Sequence, residues 1–428
     1  MHRLFIFLIL LLCSQSFYAQ IDLNFNHSID VPIPNYSFER DSSATSFQIL
    51  QIPFTGFNFM TYSNPNLNNF VSKSGEKLVI NLHAYKESIN SVSHHLLDLE
   101  NILFYYAQKK DNAIHSYGLT HRLLGEFSMS GDFISLIVDG NYPNLNKTIH
   151  LDNNYARLYN YFSFFYGYAN TIGDRSLFGF KFKLLKGFGS FGVDNRELSI
   201  LVSDNFGTEE NPFSSRFNTD LNYFVNSDYS ILSNLGCAVD LELQYKLNDH
   251  FSLYTEISEL GFISWREDRY VSQGSFNFDG IDYALDEDLI TEFNNIYDTI
   301  VDIFDIKENH NIKSIRLLPF EFNIGCHIAS SNVNNFFINY NVKKLYNSLL
   351  HTASVAYAHY FESAKLSVIP SYSLNKFNYT SFTLYVNKSL GNRLSTNLYF
   401  KNILGFLNND NFGINQSLGV GGELLLSF

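Results

Sequence analysis

Several stretches of the chain alternate apolar and polar residues with a period of two. The clearest are FGFKFKLL at 178–185, VDLELQYKL at 239–247 and FEFNIGCHI at 320–328. Because successive side chains of a β-strand point to opposite faces, each stretch predicts a strand with one apolar and one polar face. The ionisable residues on the three polar faces are Lys181, Lys183, Asp240, Glu242, Lys246, Glu321 and His327.

Such strands fit two architectures. A soluble sandwich or barrel turns the apolar face inward, whereas a membrane barrel turns it toward lipid and keeps a polar interior. Turn spacing separates the two, because transmembrane barrels have short turns at one end and longer loops at the other. If the last strand runs down to Phe428, tight turns fall together at the lower end, at 110–112, 173–174, 248–249, 331–335, 362–363 and 391–392. Long connections fall at the upper end, at about 63–98, 128–159 and 266–314; against this rule, a weakly defined stretch at 205–217 falls at the lower end.

This asymmetry predicts an all-β protein, a single transmembrane antiparallel barrel of about fourteen to sixteen strands with long outer loops. The higher count includes N-terminal candidate strands at 47–62 and 99–108. The chain ends in GVGGELLLSF, where Leu424, Leu426 and Phe428 share one face of a strand that closes the barrel. This ending resembles the signal that outer-membrane assembly machinery reads, although a buried strand of a soluble sandwich would have the same local pattern.

The N-terminus predicts export. Residues 1–19 have a short basic start, an apolar run at 4–12 and Ala19 at the expected cleavage site, which is the layout of a secretory signal peptide. The apolar run is too short to cross a bilayer, and no longer one follows. Leu12 before Cys13 argues against lipidation. Residues 20–428 then form one barrel domain, with 20–46 as a plug or a periplasmic segment.

Composition narrows the class further. Aromatic residues make up 17% of the chain and charged residues another 17%, below the roughly 25% of ordinary soluble proteins. The net charge of −13 argues against a nucleic-acid partner, because phosphate binding needs clustered lysine and arginine. Cys237 and Cys326, the cysteines of the mature chain, are interpreted as packed thiols, with a disulfide as the alternative.

No motif for catalysis or cofactor binding is found, so we predict a non-enzymatic protein without a cofactor. His94 and His95 are adjacent, but a metal site would need further ligands. Residues 285–304 have apolar positions at helical spacing and an acidic opposite face. They predict a helix in the longest outer loop, which either packs on the barrel mouth or serves as a lid, plug or docking element.

The seven ionisable residues of the alternating strands are predicted to face the barrel lumen. There they would set the charge preference of a solute path, or simply pair across a filled interior. Trp265 and the tyrosines near strand ends fit aromatic girdles at the membrane surfaces, and ordinary packing would explain any one of them equally well.

The run 245–283 combines a tight turn at Asn248-Asp249, the segment LGFISW at 260–265 and the loop FNFDGID at 276–282. In these features it resembles a family of uncharacterised Bacteroidetes outer-membrane β-barrel proteins, known as domain of unknown function 5723. The residues that carry the resemblance are Gly261, Phe262, Trp265, Asp279 and Gly280. Stretches at 116–141, 178–200 and 398–408 extend it over most of the mature chain, while the region after the signal peptide departs from the family pattern. The resemblance implies an outer-membrane barrel, distantly similar to fatty-acid-transporter barrels, and supplies no catalytic residue.

These observations together predict an integral protein of the bacterial outer membrane. We expect a channel or transporter for a small or apolar solute, or alternatively a scaffold or interaction protein for surface or secretion assemblies. A soluble periplasmic binding protein is the third interpretation. The expected partners are outer-membrane lipid, the barrel assembly machinery and, through the outer loops, another envelope protein.

Overall fold

The computed structural model describes residues 46–64, 70–74, 77–89, 92–110, 113–140, 142–151, 153–173, 175–203, 214–226, 228–278, 305–331, 333–346, 349–375, 381–391, 393–401 and 417–428. The signal peptide, the segment up to residue 45 and the helix predicted at 285–304 lie outside them. The strands of the described residues are β1 (Ser46–Gln51), β2 (Gly56–Asn64), β3 (Val71–Ser74), β4 (Lys77–Ile80), β5 (Val92–Lys110), β6 (Ala113–Ser130), β7 (Thr148–His150), β8 (Tyr155–Ile172), β9 (Ser176–Ser203), β10 (Ser214–Asn226), β11 (Leu235–Asn248), β12 (Phe251–Phe278), β13 (Lys307–Leu317), β14 (Glu321–Ala329), β15 (Asn334–Lys344), β16 (Leu349–Phe361), β17 (Leu366–Asn375), β18 (Ser381–Ser389), β19 (Leu394–Lys401) and β20 (Ser417–Ser427). Two α-helices are described, α1 (Leu82–Ser88) and α2 (Gly131–Asp139), with short 3₁₀ turns at Tyr142–Asn144 and Glu362–Ala364.

The described strands form a closed antiparallel barrel of fourteen wall positions. Three positions are each shared by two strands in line, β1 with β2, β10 with β11, and β13 with β14. The last strand closes the ring, because β20 pairs with both β1 and β2. Phe428 N donates to Gln48 O at 3.0 Å, so the C-terminal residue is tied into the wall. The short strand β7 pairs with the upper part of β9, and β3 and β4 form a separate hairpin in the first outer loop.

The predicted lower turns are confirmed, and the antiparallel pairing places all six at one end of the barrel. The stretch at 205–217 was assigned to the wrong end. It follows β9, which runs 28 residues without turning, so the connection to β10 lies at the end with the long loops. The strand count is fourteen and includes both N-terminal candidates, because long strands such as β9 and β12 each occupy a single wall position. The long connections are also shorter than predicted: they span 65–91, 131–154 and 279–306, since the flanking strands extend into them.

The wall of the barrel turns apolar side chains outward and polar side chains inward, the opposite of a soluble barrel. On β15, Phe336 and Ile338 point outward and are 45% and 50% exposed, whereas Asn335, Asn339 and Asn341 point inward and are buried. The same alternation of apolar outside and polar inside recurs on β9, β11, β14, β16 and β17. A polar interior within an apolar outer surface is the arrangement of outer-membrane barrels.

The wall position shared by β10 and β11 contains an insertion. Both strands pair with β9 on one side and β12 on the other, and residues 228–234 bulge out between them. Asn234, at φ +53°, bridges the neighbouring strands: its O accepts from Gly187 N at 2.8 Å, and its Oδ1 accepts from Arg266 N at 2.7 Å. The side chains of Ile231 and Leu232 are 85% and 84% exposed at the tip of the bulge.

Of the two interpretations of Trp265, ordinary packing is the one that the structure shows, because the side chain does not lie in an aromatic girdle. Its side chain is only 1% exposed and packs inside the barrel, with its ring 6.1 Å from the ring of Tyr159. A Cβ on Gly187 would lie 2.4 Å from the indole, so only glycine leaves room for Trp265 beside β9. The indole of Trp265 therefore packs on the inner side of the wall where the insertion interrupts β10 and β11.

Two helices lie at the upper rim. Asn81 caps α1 by accepting from Ala84 N at 3.1 Å, and Ser130 caps α2 by accepting from Phe133 N at 3.2 Å. An ion pair between Lys86 and Asp139 ties the two helices together. Among the described residues, no helix has the length and apolarity needed to span a bilayer. Cys237 and Cys326 are free thiols.

Candidate functional site: a charged network across the barrel interior

Side chains from opposite walls meet inside the barrel. Asp98 on β5 and Lys343 on β15 stand on opposite sides of the fourteen-stranded ring, yet Lys343 Nζ lies 2.5 Å from Asp98 Oδ2. Lys343 Nζ also lies 2.5 Å from Oε1 of Glu321 on the neighbouring strand β14. All three side chains are buried. The barrel is thus bridged by an ion pair, and its opposite walls approach to side-chain contact.

A second bridge runs from β6 to β12. Arg122 binds Asp98 with both ends of its guanidinium, Nε to Oδ1 at 3.0 Å and Nη2 to Oδ2 at 2.8 Å. Its Nη1 lies 3.6 Å from Glu259 Oε2. Two-point pairing with a carboxylate fixes the orientation of a planar guanidinium as well as its distance. Arg122 therefore links the Asp98–Lys343 bridge to the Arg122–Glu259 bridge in a fixed geometry.

Glu259 is the point where several elements converge. It accepts a hydrogen bond of 2.8 Å from Tyr161 Oη of β8 and forms an ion pair with Lys183 of β9. Lys183 also pairs with Asp240 of β11 at 2.8 Å. Glu259 adopts φ +61°, and the pairing of β11 with β12 shifts register beside it. This bulge adds one residue to β12, so the side chain of Glu259 turns inward where strict alternation would send it outward.

Acidic groups outnumber basic ones in the described part of this network. Six buried carboxylates surround four buried cations: Asp98, Asp240, Glu242, Glu256, Glu259 and Glu321, with Arg122, Lys181, Lys183 and Lys343. Glu242 and Glu256 are direct cross-strand partners, an unfavourable position for two like charges. Within the described residues, Glu256 Oε1 is buried without a hydrogen-bond partner. An interior with excess carboxylate attracts cations and disfavours anions.

A second layer fills the lumen above this network. Glu126 accepts from Tyr155 Oη at 2.5 Å and from the backbone N of Tyr346 at 2.7 Å, again joining opposite walls. Arg157 lies between the rings of Phe224 and Tyr346, 4.5 and 4.0 Å from their centroids. Beside them, Leu96, Leu124, Leu345 and Leu350 form an apolar cluster across the barrel. The described interior is therefore bridged by side chains at two levels.

The seven residues predicted to face the lumen occupy different positions. Lys181, Lys183, Asp240, Glu242 and Glu321 are buried in the charged network. His327 lies lower, stacked 4.7 Å from the ring of Phe337 and with Nε2 2.7 Å from Asn335 Oδ1. The side chain of Lys246 is 51% exposed at the lower rim, where it pairs with Asp249.

The family-like residues have structural roles where they are described. A Cβ on Gly261 would lie 2.2 Å from Cys237 O, so glycine permits the close approach of β11 and β12 at the bulge. Phe262 points outward and Trp265 inward. Asp279 and Gly280 lie outside the described residues. In the last strand, Leu424, Leu426 and Phe428 share the outward face, with Leu426 opposite Leu50 of β1.

Sequence reasoning missed five members of the network: Asp98, Arg122, Glu256, Glu259 and Lys343. Asp98 lies in the alternating stretch LLDLEN, but the outer loop was predicted to extend over it. Glu259 interrupts the alternation in TEISELGF, and such an interruption within a strand is the signal of a bulge. Among the described residues, no group of three or more His, Cys, Asp or Glu side chains is arranged to hold a metal ion.

Solved structures with the same kind of barrel resemble the chain weakly. The Pseudomonas putida toluene transporter TodX is 12% identical, with a TM-score of 0.45 over 97% of this chain and 94% of that one. A Pseudomonas aeruginosa FadL homologue is 9% identical, with a TM-score of 0.39 over 90% and 89% of the two chains. The translocator domain of the autotransporter NalP from Neisseria meningitidis is 8% identical, with a TM-score of 0.33 over 92% and 91%.

Sequence comparison is more specific. No curated protein matches the chain. The profile of one family, described as a family of unknown function, matches residues 43–418, which is nearly the whole of the barrel and includes every residue of the charged network. The chain therefore belongs to the DUF5723 family.

Proposed function

We propose that this protein is an integral outer-membrane barrel that acts as a gated passage for a small solute, with the charged network as its gate. Support for the membrane location comes from the outer surface. Its outward strand positions carry exposed apolar side chains around the ring, whereas soluble monomers rarely expose a contiguous apolar patch larger than a few hundred Å².

The observation that carries the gate is the Asp98–Lys343 bridge between opposite walls. A barrel of fourteen strands is wide enough to enclose a lumen, and here the described obstruction consists of side chains. The attraction within a buried ion pair exceeds the cost of desolvating its charges by little. Such a pair therefore stabilises the closed state weakly and can be broken when the passage opens. Rotation of a few side chains would separate the walls and open a path.

The lower interior favours a small and partly apolar solute. Phe337, Ile369, Tyr385 and Tyr399 form an apolar cluster there, and Asn58 and Asn397 line the same region. Tyr399 Oη contacts Asn58 Oδ1 at 2.5 Å. Aromatic faces with a few amides suit a solute that is apolar with one or two polar groups. The acid excess of the network would keep anions out. We propose no catalytic role.

Conductance in planar bilayers tests the gate. The purified wild-type protein should conduct little, whereas the variant Glu321→Ser, Lys343→Ser should conduct severalfold more, because its small side chains no longer bridge the walls while Asp98 keeps its two-point pairing with Arg122. The matched control is Asp305→Ser, Lys307→Ser. It removes the same number and sign of charges from exposed positions outside the barrel interior and should behave as wild type.

The alternative function is a non-transporting scaffold, and the two filled layers of the interior favour it. A gate variant that forms a folded barrel in the bilayer and still does not conduct refutes the charged network as the gate and favours the scaffold. Deletion of 285–304 should then abolish recovery of an envelope partner in a pull-down while leaving the barrel intact. We also propose that the C-terminal strand is read by the barrel assembly machinery.

A further inference from the structure

A cavity lies on the outside of the wall at the upper rim. It has a volume of about 510 Å³, is open on one side and lies between the first outer loop and strands β5, β6 and β8. Phe70, Leu82 and Tyr85 of the loop form its roof, and Phe127 and Ala156 of the wall form its floor. Phe127 and Ala156 are direct cross-strand partners on the outward face. This floor faces away from the lumen and from the charged network, while Tyr155, which also lines the cavity, contacts Glu126 of the second layer.

The roof is held in place independently of any ligand. Phe70, Tyr85 and Ile134 form a small buried core, in which the rings of Phe70 and Tyr85 are 4.5 Å apart. The ion pair between Lys86 and Asp139 joins α1 to α2 on top of it. A roof anchored in this way keeps the cavity formed, and preformed cavities of roughly 300–1,000 Å³ are typical ligand sites.

The lining is suited to hydrocarbon. None of the ten described residues that line the cavity is Asp, Glu, Lys or Arg. The one imidazole, His95, is already engaged at both nitrogens, with Nδ1 3.0 Å from Ser63 Oγ and Nε2 3.1 Å from Tyr85 Oη. A buried water needs two to four polar partners, and this lining offers few that are not already used. Water is therefore a poor occupant.

The mouth of the cavity is also apolar. Ile80 and Leu82 at its edge are 56% and 48% exposed, and Phe127 is 37% exposed. The floor continues down the outward face through Leu158 and Leu123, the surface assigned above to membrane lipid. An apolar ligand could enter sideways from the membrane without crossing water.

We propose that this cavity binds an acyl chain of a membrane lipid of the outer leaflet, held between α1 and the outer wall. The chain enters from the lipid-facing side, and its headgroup remains at the rim outside the uncharged lining. This proposal rests on the membrane location proposed above but not on the gate or on transport.

Photolabelling in vesicles tests the site. The full-length protein is reconstituted with a phospholipid that carries a diazirine in one acyl chain, and the labelled residues are mapped by mass spectrometry. The roof residue Tyr85 should be labelled, because it is only 6% exposed and a chain reaches it only from beneath α1. The variant Ala156→Trp fills the cavity and should lower roof labelling by at least about tenfold. The matched control Ala353→Trp makes the same change on the outward face of β16 and should not lower it.

Each outcome decides a different statement. Roof labelling that is absent, or unchanged in Ala156→Trp, overturns the site. Loss of roof labelling on addition of free palmitate overturns the membrane lipid as occupant and assigns the cavity to a free fatty acid. Release of the protein from vesicles by carbonate would refute the membrane location itself, and that readout is independent of labelling.

Discussion

At the residue scale, Lys343 is the cation on which two buried carboxylates depend. Lys343→Ala should lower the free energy of unfolding by about 3–5 kcal/mol, because Asp98 and Glu321 would lose the charge they share. Urea unfolding in lipid or detergent measures this. The combination Glu321→Gln, Lys343→Met should regain most of the loss, since Asp98 keeps its two-point pairing with Arg122 and no carboxylate is left without a cation. A single variant as stable as wild type would contradict the importance of the bridge.

Gly187 should tolerate no side chain. Gly187→Ala should destabilise by about 1–3 kcal/mol, because the new methyl group would overlap the indole of Trp265. Gly189→Ala is the matched control: there the nearest atom is an ordinary 3.8 Å away. Thermal unfolding of the two variants should differ clearly, and Trp265→Leu should relieve the effect of Gly187→Ala. Equal melting temperatures would show that the wall yields at this point.

At the element scale, Asn234 holds the interrupted wall position together. Its side chain bonds Asn226 Oδ1 at 2.7 Å and Asp228 O at 2.6 Å, in addition to its contact with Arg266. Asn234→Ala should cost about 1–3 kcal/mol by leaving these groups unpaired. Asn234→Gly keeps the positive φ accessible but removes the same bonds. If it is as stable as wild type while Asn234→Ala is not, backbone conformation is the cause and the side-chain bonds are unimportant.

Local pattern predicted the elements well where alternation is strict. Lys181 and Asp240 alternate with large apolar residues, and both prove to lie on the buried, inward face. The pattern failed where a bulge changes the face, as at Glu259, and where a strand runs past a connection, as in β9. A bulge is decided by pairing with neighbouring strands, which periodicity along one strand does not contain.

The charged network could be predicted only in part for the same reason. Asp98 and Lys343 are 245 residues apart in sequence, so no local signal connects them. Trp265 has the composition of a girdle residue, but its partner Gly187 lies on a strand that is distant in sequence. Whether a side chain points inward is decided locally, by alternation along its own strand. Which inward side chains meet depends on which strands lie across the lumen from one another.

At the scale of the whole molecule, closure depends on the last residues. Phe428 N donates to Gln48 O, and β20 pairs with both halves of the first wall position. Deletion of Phe428 should lower the fraction of protein assembled in the outer membrane severalfold, measured as the heat-modifiable band on gels. Phe428→Tyr keeps the terminal aromatic and should assemble as wild type. Equal assembly of the deletion variant would mean that the terminal aromatic is dispensable.

The bridges across the lumen have a consequence for how the chain folds. A simple barrel can be built one hairpin at a time, since each strand contacts only its neighbours. Here Asp98 and Arg122 pair within the hairpin of β5 and β6, but their further partners, Lys343 on β15 and Glu259 on β12, lie on distant strands. The network is complete only when β15 has arrived with Lys343, which both Asp98 and Glu321 share. Folding should therefore be slow and cooperative, with the two halves of the barrel locking together in a late step.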